Sequence, residues 1–265
     1  MVKLAVCVGI NDYPGSGNDL YGCVNDTNDW EVELTKRGFE VAKLVDKKAT
    51  KQAILKALKA AVKKAKANDT VVFTYSGHGS WQPDVDGDED DGRDEGWCPH
   101  DIDRVGLLLD DEMYNVFCQT KVGVRLVMIS DSCHSGTVAR MAPSSSDAAN
   151  GSRVRFLPPA QFLKDIELVI AEGRRGIPIG LKTKPDRALL ISGCQDYEYS
   201  YDSSFGGRPN GALTYNALQA LKGLKSSATY VDWYKAIRKE LPSGSNPQSP
   251  NLLGSASQKK WKVLS

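Results

Sequence analysis

The sequence predicts a three-layer α/β/α sandwich, in which helices cover both faces of a central, mainly parallel sheet. Short runs rich in β-branched residues alternate with longer segments whose apolar residues recur at helical spacing. Strands that alternate with helices are typical of parallel sheets covered on both faces. The 265 residues, 41% of them hydrophobic, are enough for one substantial core. We therefore interpret residues 1–265 as a single domain.

The first elements follow this alternation closely. Residues 4–10 are predicted as a buried strand, followed by a helix from Cys23 that ends before Gly38 and by a strand at 41–45. Thr50 is a suitable N-cap for the next helix, on which the lysines lie mostly away from the apolar stripe. Those lysines are interpreted as a solvated face, with an anion-binding patch as the alternative.

Later segments continue the pattern on both sides of a long connection. The connection, residues 140–187, is unusual within a compact domain unless it has a function or is disordered. It separates residues 1–139 from residues 188–265. The remaining strands are predicted at 70–75, 106–109, 124–130 and 188–192, and the remaining helices at 112–119, 160–171, 213–224 and 230–241.

Composition and charge exclude several classes of protein. The formal net charge of +1 gives no general case for nucleic-acid binding. The sequence has no apolar run of about 18 residues, so no membrane span is expected. Residues 1–10 are typical of a buried strand and not of a signal peptide. Six cysteines without a CxxC pair favour a reducing compartment, so we expect a cytoplasmic protein.

Two turns after predicted strands contain the residues of a cysteine nucleophile site. Residues 75–79 are YSGHG and residues 131–136 are DSCHSG. Ligands bind at the carboxyl ends of strands in open α/β sheets, and neighbouring strands would bring His78 and Cys133 together there. A thiol needs a nearby imidazole for deprotonation near neutral pH. We interpret Cys133 as the nucleophile and His78 as its base; the alternative for Cys133 is a buried core cysteine.

Other residues near these turns have weaker claims to a catalytic role. Backbone N–H groups near Gly79 and Cys133 are candidates for an oxyanion hole. His134 adjoins the nucleophile, but neighbouring side chains point to different sides of an extended or turning chain. His100 has no nucleophile beside it and is interpreted as structural. No third member of the catalytic set is evident.

An acidic run at residues 84–95 carries eight acids and one arginine. Such a charge density has to be solvated or balanced by a cation. The spacing of its acids partly matches an EF-hand loop, but Glu89 occupies the position where that loop needs glycine. An EF-hand is therefore not expected.

Four ordered motifs resemble those of the metacaspases and their prokaryotic relatives. They are the two turns, LYGCVND at residues 20–26 and ISGCQD at residues 191–196. The resemblance covers nearly the whole chain. It implies a caspase-hemoglobinase fold and a monomeric cysteine endopeptidase that cleaves protein or peptide substrates after arginine or lysine.

The resemblance also implies which residues form the pocket for the basic substrate residue. Asp26 and Asp131 would supply its negative charge, with Cys23 and Ser76 on the walls. A guanidinium entering a partly desolvated pocket requires carboxylates within bidentate reach. Asp26 has an alternative role as a helix N-cap.

Calcium is a further implication of the resemblance, with Asp94, Asp110 and Asp111 as its ligands. Three convergent carboxylates are costly without a cation. However, Arg140 occupies a position at which calcium-dependent members carry an aspartate, and its charge could replace that of the metal. Whether calcium is a cofactor is left open. A second departure is the aromatic segment 197–202, which could shape or partly fill the substrate groove.

The 140–187 connection contains arginines and lysines that a peptidase with basic specificity would cleave. We expect autoprocessing of a zymogen in this segment, with Arg155 and Arg175 as candidate sites. The alternative is an uncut basic loop. A calcium-binding module and a non-catalytic interaction protein on the same fold also remain as alternatives. An aspartate-directed peptidase is disfavoured by the acids at 26 and 131.

Overall fold

The computed structural model describes residues 1–15, 17–83, 92–133, 152–163, 187–195 and 198–265. The strands in these residues are β1 (Lys3–Gly9), β2 (Glu40–Val45), β3 (Thr70–Ser76), β4 (Gly79–Pro83), β5 (Arg93–Trp97), β6 (Leu108–Leu109), β7 (Arg125–Asp131), β8 (Arg153–Val154), β9 (Leu189–Ser192), β10 (Tyr201–Phe205), β11 (Arg208–Gly211) and β12 (Asn251–Leu253). The helices are α1 (Cys23–Lys36), α2 (Lys51–Lys64), α3 (Ile102–Val105), α4 (Asp110–Phe117), α5 (Ala212–Lys222), α6 (Tyr230–Ile237) and α7 (Ala256–Lys259).

A six-stranded sheet forms the centre of the molecule, with the strand order β12-β9-β7-β3-β1-β2. The pairs from β9 to β2 are parallel, and only the edge strand β12 runs antiparallel to its neighbour. The mainly parallel sheet expected from the sequence is confirmed. Within the described residues, no helix has the length and apolar character needed to span a membrane.

The two faces of this sheet are buried under different helices, because side chains alternate along each strand. Phe73 of β3 belongs to a core cluster with Ile54 and Leu58 of α2. Its neighbour Val72 belongs to a second cluster, with Trp30 of α1 and Trp233 of α6. The two clusters give the three layers that the sequence predicts.

Two small sheets lie outside the central one, and of their strands only β6 corresponds to a predicted strand, the one at 106–109. One has the order β4-β5-β6, and the other has the order β11-β10-β8. Their strands are short and contain many polar residues and glycines, so they lack the apolar runs that identify the central strands.

Several predicted boundaries differ from the observed ones. The strand expected at 106–109 is limited to Leu108–Leu109, since a short helix precedes it and Gly106 has a φ of +70°. The helix expected at 112–119 begins at Asp110, where acids favour a first turn. The helix expected at 230–241 ends at Ile237. Of the helix expected at 160–171, the described part contains a 3₁₀ turn at Pro159–Gln161, and residues 164–171 lie outside the described residues.

Candidate active site

The strands β3 and β7, which lead into the two motifs, are neighbours in the central sheet, and their carboxyl ends lie side by side. Ser76 at the end of β3 pairs directly with Asp131 at the end of β7. His78 and Cys133 therefore each follow a paired residue by two positions. Both side chains are buried, His78 with 4% and Cys133 with 0% of its surface exposed. The register between two parallel strands thus brings the predicted nucleophile and base to the same place.

The imidazole of His78 is held by the segment around Tyr13 and Asn18. Its Nε2 atom lies 2.7 Å from the Asn18 carbonyl oxygen, and the Tyr13 ring centroid lies 4.6 Å from that of His78. The backbone N–H of His78 donates to the Tyr13 hydroxyl at 2.9 Å. Burial lowers the pKa of His78 to about 4, although the bond to Asn18 opposes this shift.

These contacts define the tautomer that suits a general base. At neutral pH the ring is uncharged, and a proton on Nε2 is donated to the Asn18 carbonyl. Among the described residues, the buried Nδ1 atom has no hydrogen-bond partner, so no described donor occupies its lone pair. The Asn18 carbonyl therefore fixes the orientation of the His78 ring. A backbone carbonyl belongs to every residue type, so the sequence carries no signal for this role.

The thiol of Cys133 lies next to Ser200. The Ser200 backbone N–H donates to the sulfur at 2.8 Å, and the sulfur lies 3.5 Å from the Ser200 carbonyl oxygen. The Cys133 side chain packs in a small cluster with Phe156, Cys194 and Tyr199. The aromatic segment that follows residue 197 therefore contributes to the surroundings of the thiol.

Two backbone donors converge on a single carbonyl oxygen. The Gly79 N–H donates to the Arg155 carbonyl at 3.0 Å, and the Cys133 N–H donates to the same oxygen at 3.2 Å. These donors are the two predicted from the sequence as an oxyanion hole. Preorganised N–H groups of this kind can stabilise negative charge that develops on a carbonyl oxygen.

The side chain of Arg155 is fully buried among three carboxylates. Its Nη1 atom donates to the Ser76 hydroxyl at 2.7 Å and lies 3.3 Å from Asp131 Oδ1. Its Nη2 atom donates to Asp26 Oδ2 at 2.8 Å and to Asp202 Oδ1 at 3.1 Å. Three of the four predicted pocket residues thus contact the guanidinium directly.

The fourth predicted pocket residue, Cys23, lies beside this group. It is fully buried, and burial raises the pKa of its thiol well above the usual range. Arg155 and Ser76 lie near enough to oppose that shift. Cys23 therefore belongs to the wall of the pocket as a neutral thiol.

Backbone donors and neighbouring side chains hold two of the carboxylates in position. Asp26 accepts from the Gly211 N–H at 2.9 Å and from Asn210 Nδ2 at 2.8 Å. Asp131 accepts from the Thr214 N–H at 2.8 Å and from the Ser200 hydroxyl at 2.7 Å. The small sheet containing β10 and β11, with the start of α5, therefore closes the pocket.

Asp202 is absent from the predicted pocket but is part of it. Its Oδ2 atom accepts from the backbone N–H groups of Tyr21 at 2.6 Å and Gly22 at 3.1 Å, which leaves Oδ1 for Arg155. The sequence carries a weak signal for this role, since Asp202 is the only acid between residues 200 and 211.

Burial and like charge act together on Asp26. Burial raises the pKa of its carboxyl to about 6, the neighbouring Asp131 adds to the shift, and Arg155 opposes it. The helix α1 begins at Cys23 with Gly22 as its N-cap. The alternative interpretation of Asp26 as the N-cap is therefore wrong, because its carboxylate belongs to the pocket.

The segment that carries Arg155 crosses the site as an extended strand. Arg153 and Val154 pair antiparallel with β10, and the Arg155 N–H donates to the Ser200 carbonyl at 2.9 Å. Beyond Arg155, the Leu157 N–H donates to the Gly79 carbonyl at 3.0 Å. Backbone bonding along both edges of an extended peptide is a common mode of peptide recognition.

Other predicted site residues are not joined to this group by the structure. Asp94 lies on β5, and Asp110 and Asp111 begin α4. Among the described residues, no group of three or more His, Cys, Asp or Glu is arranged to hold a metal ion. The acidic residues 84–91 lie outside the described residues, and calcium stays a prediction.

The remaining candidates have separate positions. His100 Nε2 lies 3.6 Å from Asp12 Oδ2, and the backbone N–H of His100 donates to the Ala49 carbonyl. The predicted positions His134, Arg140 and Arg175 lie outside the described residues.

The structure is a three-layer α/β/α sandwich in which His78 and Cys133 follow neighbouring strands of the central sheet. This arrangement defines an α/β protein of the caspase-like class. The family model "Metacaspase, peptidase C14 domain" matches residues 3–142. The chain therefore belongs to the metacaspase family.

Curated relatives extend this similarity along the chain. The chain is 33% identical to Metacaspase-1 of Cryptococcus neoformans var. neoformans serotype D (strain JEC21), with 96% of this chain and 62% of the relative covered. It is also 33% identical to Metacaspase-1 of Coccidioides immitis (strain RS), with 94% and 61% covered. The chain thus spans about three-fifths of the length of these relatives.

Solved structures show the same fold. Protein GSU0716 from Geobacter sulfurreducens is similar with a TM-score of 0.77 and 31% identity, over 100% of this chain and 99% of that one. Caspase-1 from Spodoptera frugiperda is similar with a TM-score of 0.56 and 11% identity, over 95% and 86%. The expected caspase-hemoglobinase fold is confirmed.

Proposed function

We propose that this protein is a cysteine endopeptidase that hydrolyses peptide bonds after arginine or lysine, with Cys133 as nucleophile and His78 as base. One observation carries the proposal. The Arg155 side chain fills a pocket of three carboxylates while its carbonyl oxygen accepts hydrogen bonds from the Gly79 and Cys133 N–H groups. A peptide whose basic residue lies in this way has its following bond next to the nucleophile.

The chemistry follows from these contacts. His78 Nδ1 takes the thiol proton of Cys133, and the thiolate attacks the carbonyl carbon of the bound basic residue. The oxygen becomes negatively charged and is stabilised by the two backbone donors, of which one contributes about 3–4 kcal/mol in comparable enzymes. The proton passes from His78 to the departing amine, so the peptide bond breaks and an acyl-enzyme remains. Water then hydrolyses the thioester and frees Cys133.

The pocket favours a cation for electrostatic reasons. Three carboxylates in a buried site repel one another unless a positive group pairs with them. The pKa of Asp26 is raised mainly by burial and further by the charge of Asp131, whereas Arg155 lowers it. The planar guanidinium can contact Asp26 and Asp202 through one nitrogen and Asp131 through the other. A lysine ammonium pairs with fewer of them, so arginine is the better substrate residue.

The same contacts support autoprocessing between Arg155 and Phe156. The chain's own segment occupies the position of a substrate, so cleavage there is an intramolecular reaction. Until that segment is displaced, it also keeps other peptides out of the pocket, as in a zymogen. Leu157 belongs to the main hydrophobic core, which holds the segment on the other side of the bond.

The deciding experiment uses fluorogenic peptides that end in Arg, Lys or Asp, with wild type, Cys133→Ala and the matched variant Cys118→Ala. Cys118 is partly exposed and is the C-cap residue of α4, which precedes β7 in the chain. We expect cleavage after Arg and Lys in wild type and Cys118→Ala, and none in Cys133→Ala. Activity on Asp peptides, or activity that persists in Cys133→Ala, would overturn the proposal.

Autoprocessing and calcium are tested in the same samples. Mass spectrometry of wild type is expected to give fragments that end at Arg155, whereas Cys133→Ala stays intact. An intact wild type contradicts autoprocessing but not peptidase activity. Assays with calcium and with a chelator decide whether the predicted ligands Asp94, Asp110 and Asp111 bind a metal that activity requires. We also propose a monomeric, cytoplasmic protein; light scattering after gel filtration tests the monomer.

A further inference from the structure

The loop of residues 17–21 binds Arg153, a second arginine of the segment that carries Arg155. Arg153 Nη1 donates to the Asp19 carbonyl at 2.6 Å and lies 3.4 Å from the Gly17 carbonyl oxygen. Arg153 Nη2 donates to the Tyr21 hydroxyl at 2.8 Å, and the guanidinium lies 4.5 Å from the centroid of the Tyr21 ring. A planar cation that stacks on an aromatic ring and donates to several carbonyls is held more specifically than a surface lysine.

The same loop also positions the imidazole of His78. The Asn18 carbonyl accepts from His78 Nε2 at 2.7 Å, between the two carbonyls that Arg153 contacts. Asp19 Oδ1 accepts from the Tyr13 N–H at 3.0 Å, and the Tyr13 hydroxyl accepts from the His78 N–H at 2.9 Å. One short loop therefore contacts a substrate-like arginine on one side and the catalytic base on the other.

The sequence gives this loop little stiffness of its own. Gly17 has a φ of +87°, a conformation that glycine adopts without strain, and both Gly17 and Asp19 are exposed. An exposed loop of this kind loses conformational entropy when it is fixed. A guanidinium that bridges the carbonyls on both sides of Asn18 restricts the loop to the arrangement in which the Asn18 carbonyl meets His78.

We infer that an arginine two residues before the scissile basic residue is a positioning group of the substrate, which fixes the Gly17–Tyr21 loop and through it orients His78. The inference rests on the proposed peptidase function. It extends that function to a substrate class, peptides with the pattern Arg-X-Arg before the cleaved bond. The arginine acts mainly on kcat, because it fixes the loop that orients the His78 imidazole.

A simpler role for Arg153 makes a different prediction. If the arginine only adds binding energy on the surface, its loss raises KM and leaves kcat unchanged. If the arginine orients the His78 imidazole through the loop, its loss lowers kcat, since the imidazole is less often oriented for proton transfer. The two roles are therefore separable by steady-state kinetics.

The test uses three fluorogenic peptides, Arg-Val-Arg, citrulline-Val-Arg and norleucine-Val-Arg, with the full chain. Citrulline keeps the length and shape of arginine but carries no charge. We expect kcat/KM to fall by about tenfold for both replacements, with the larger part of the loss in kcat. Tyr21→Ala, which removes the stacking ring, should reduce the difference between the peptides. Equal kcat values for the three peptides would overturn the inference.

Self-cleavage after Arg155 is intramolecular, so it gives an independent measurement without a binding step. Arg153→Ala should slow the first-order cleavage after Arg155 by several-fold, whereas Arg104→Ala, which removes an exposed arginine from α3, should not. An unchanged rate in Arg153→Ala counts against the inference. If no basic peptide is cleaved at all, the proposed function itself fails. If cleavage is normal but insensitive to the upstream arginine, this inference alone fails.

Discussion

Ser76 and Asp131 face each other across the parallel ladder between β3 and β7, and both contact the guanidinium of Arg155. The same register that places these two residues in the pocket places His78 and Cys133 two positions further on. Because side chains alternate in direction along a strand, a slip of one residue would send one of each pair to the wrong side. A single strand pairing therefore fixes both the pocket and the proposed catalytic pair.

Asp202→Asn is expected to lower cleavage after arginine by about ten- to a hundredfold, with a smaller loss after lysine. The amide oxygen can keep the bonds to the N–H groups of Tyr21 and Gly22, so the amide nitrogen would then face Arg155 Nη2. A lysine contacts fewer of the carboxylates and therefore depends less on this one. The measurement is kcat/KM on matched Arg and Lys peptides.

The matched control for that variant is Asp103→Asn, which removes an exposed acid from α3. It should leave both kcat/KM values close to those of wild type. Equal losses on the two peptides in Asp202→Asn would show that the residue supports the loop around Tyr21 without selecting arginine.

Asp202 also shows where the sequence stops being informative. Asp26 and Asp131 could be predicted because they lie within motifs that resemble a known family, and the central strands could be predicted from their apolar runs. Asp202 reaches the pocket because it lies on the short polar strand β10, which directly follows Ser200, and Ser200 bonds to Asp131 and Cys133. Its position depends on the small outer sheet, whose strands carry no apolar pattern.

The Asn18 carbonyl illustrates a second limit. Its role depends on the path of the backbone and not on the asparagine side chain, so the residue type carries no signal. The opposite holds for Arg155, whose cleavage was predicted from basic specificity alone. Its burial among Asp26, Asp131 and Asp202 appears only in the folded chain.

Gly211→Ala is expected to reduce cleavage after arginine by about a hundredfold or more, because small misplacements of a substrate are costly. A Cβ atom at this position would overlap Asp131 Oδ2 and Arg155 Nη1. Neither atom can move away without breaking the pocket, since Asp131 is fixed by the Thr214 N–H. The assay is kcat/KM on an Arg peptide, with circular dichroism to verify that the variant is folded.

Gly244→Ala is the matched control, since a Cβ atom there would meet no atom within 4 Å. It should retain wild-type turnover. A folded Gly211→Ala that cleaves as fast as wild type would mean that arginine does not bind in the way Arg155 does.

The rate of self-cleavage after Arg155 is expected to fall as the pH drops through about 6. Below that pH, Asp26, whose pKa is raised to about 6 by burial, takes up a proton and no longer attracts the guanidinium. Protonation of His78 does not cause this decrease, because burial lowers the pKa of His78 to about 4 and the ring is therefore uncharged near pH 6. First-order rates between pH 4.5 and 8 measure this dependence.

Asp26→Asn provides the comparison for the pH profile. Its rate should be lower at neutral pH and should lack the decrease near pH 6. A wild-type rate that stays constant down to pH 5 contradicts the role of Asp26, and a decrease that persists in Asp26→Asn assigns the titration to another group.

Arg155→Gln is expected to lower the melting temperature more at pH 8 than at pH 5. The substitution removes the positive charge that opposes the raised pKa of Asp26, so the folded-state pKa rises further above the unfolded value of about 3.9. Between those two values the folded state binds more protons than the unfolded state, and stability therefore decreases as the pH rises. Removing one partner of a buried ion pair costs about 3–5 kcal/mol when the others stay charged and buried.

Arg155→Lys keeps the charge and should lose less stability at pH 8. The measurement is thermal unfolding of both variants in the Cys133→Ala background, which prevents self-cleavage. Equal losses at the two pH values would show that the three carboxylates are not held as a charged cluster around Arg155.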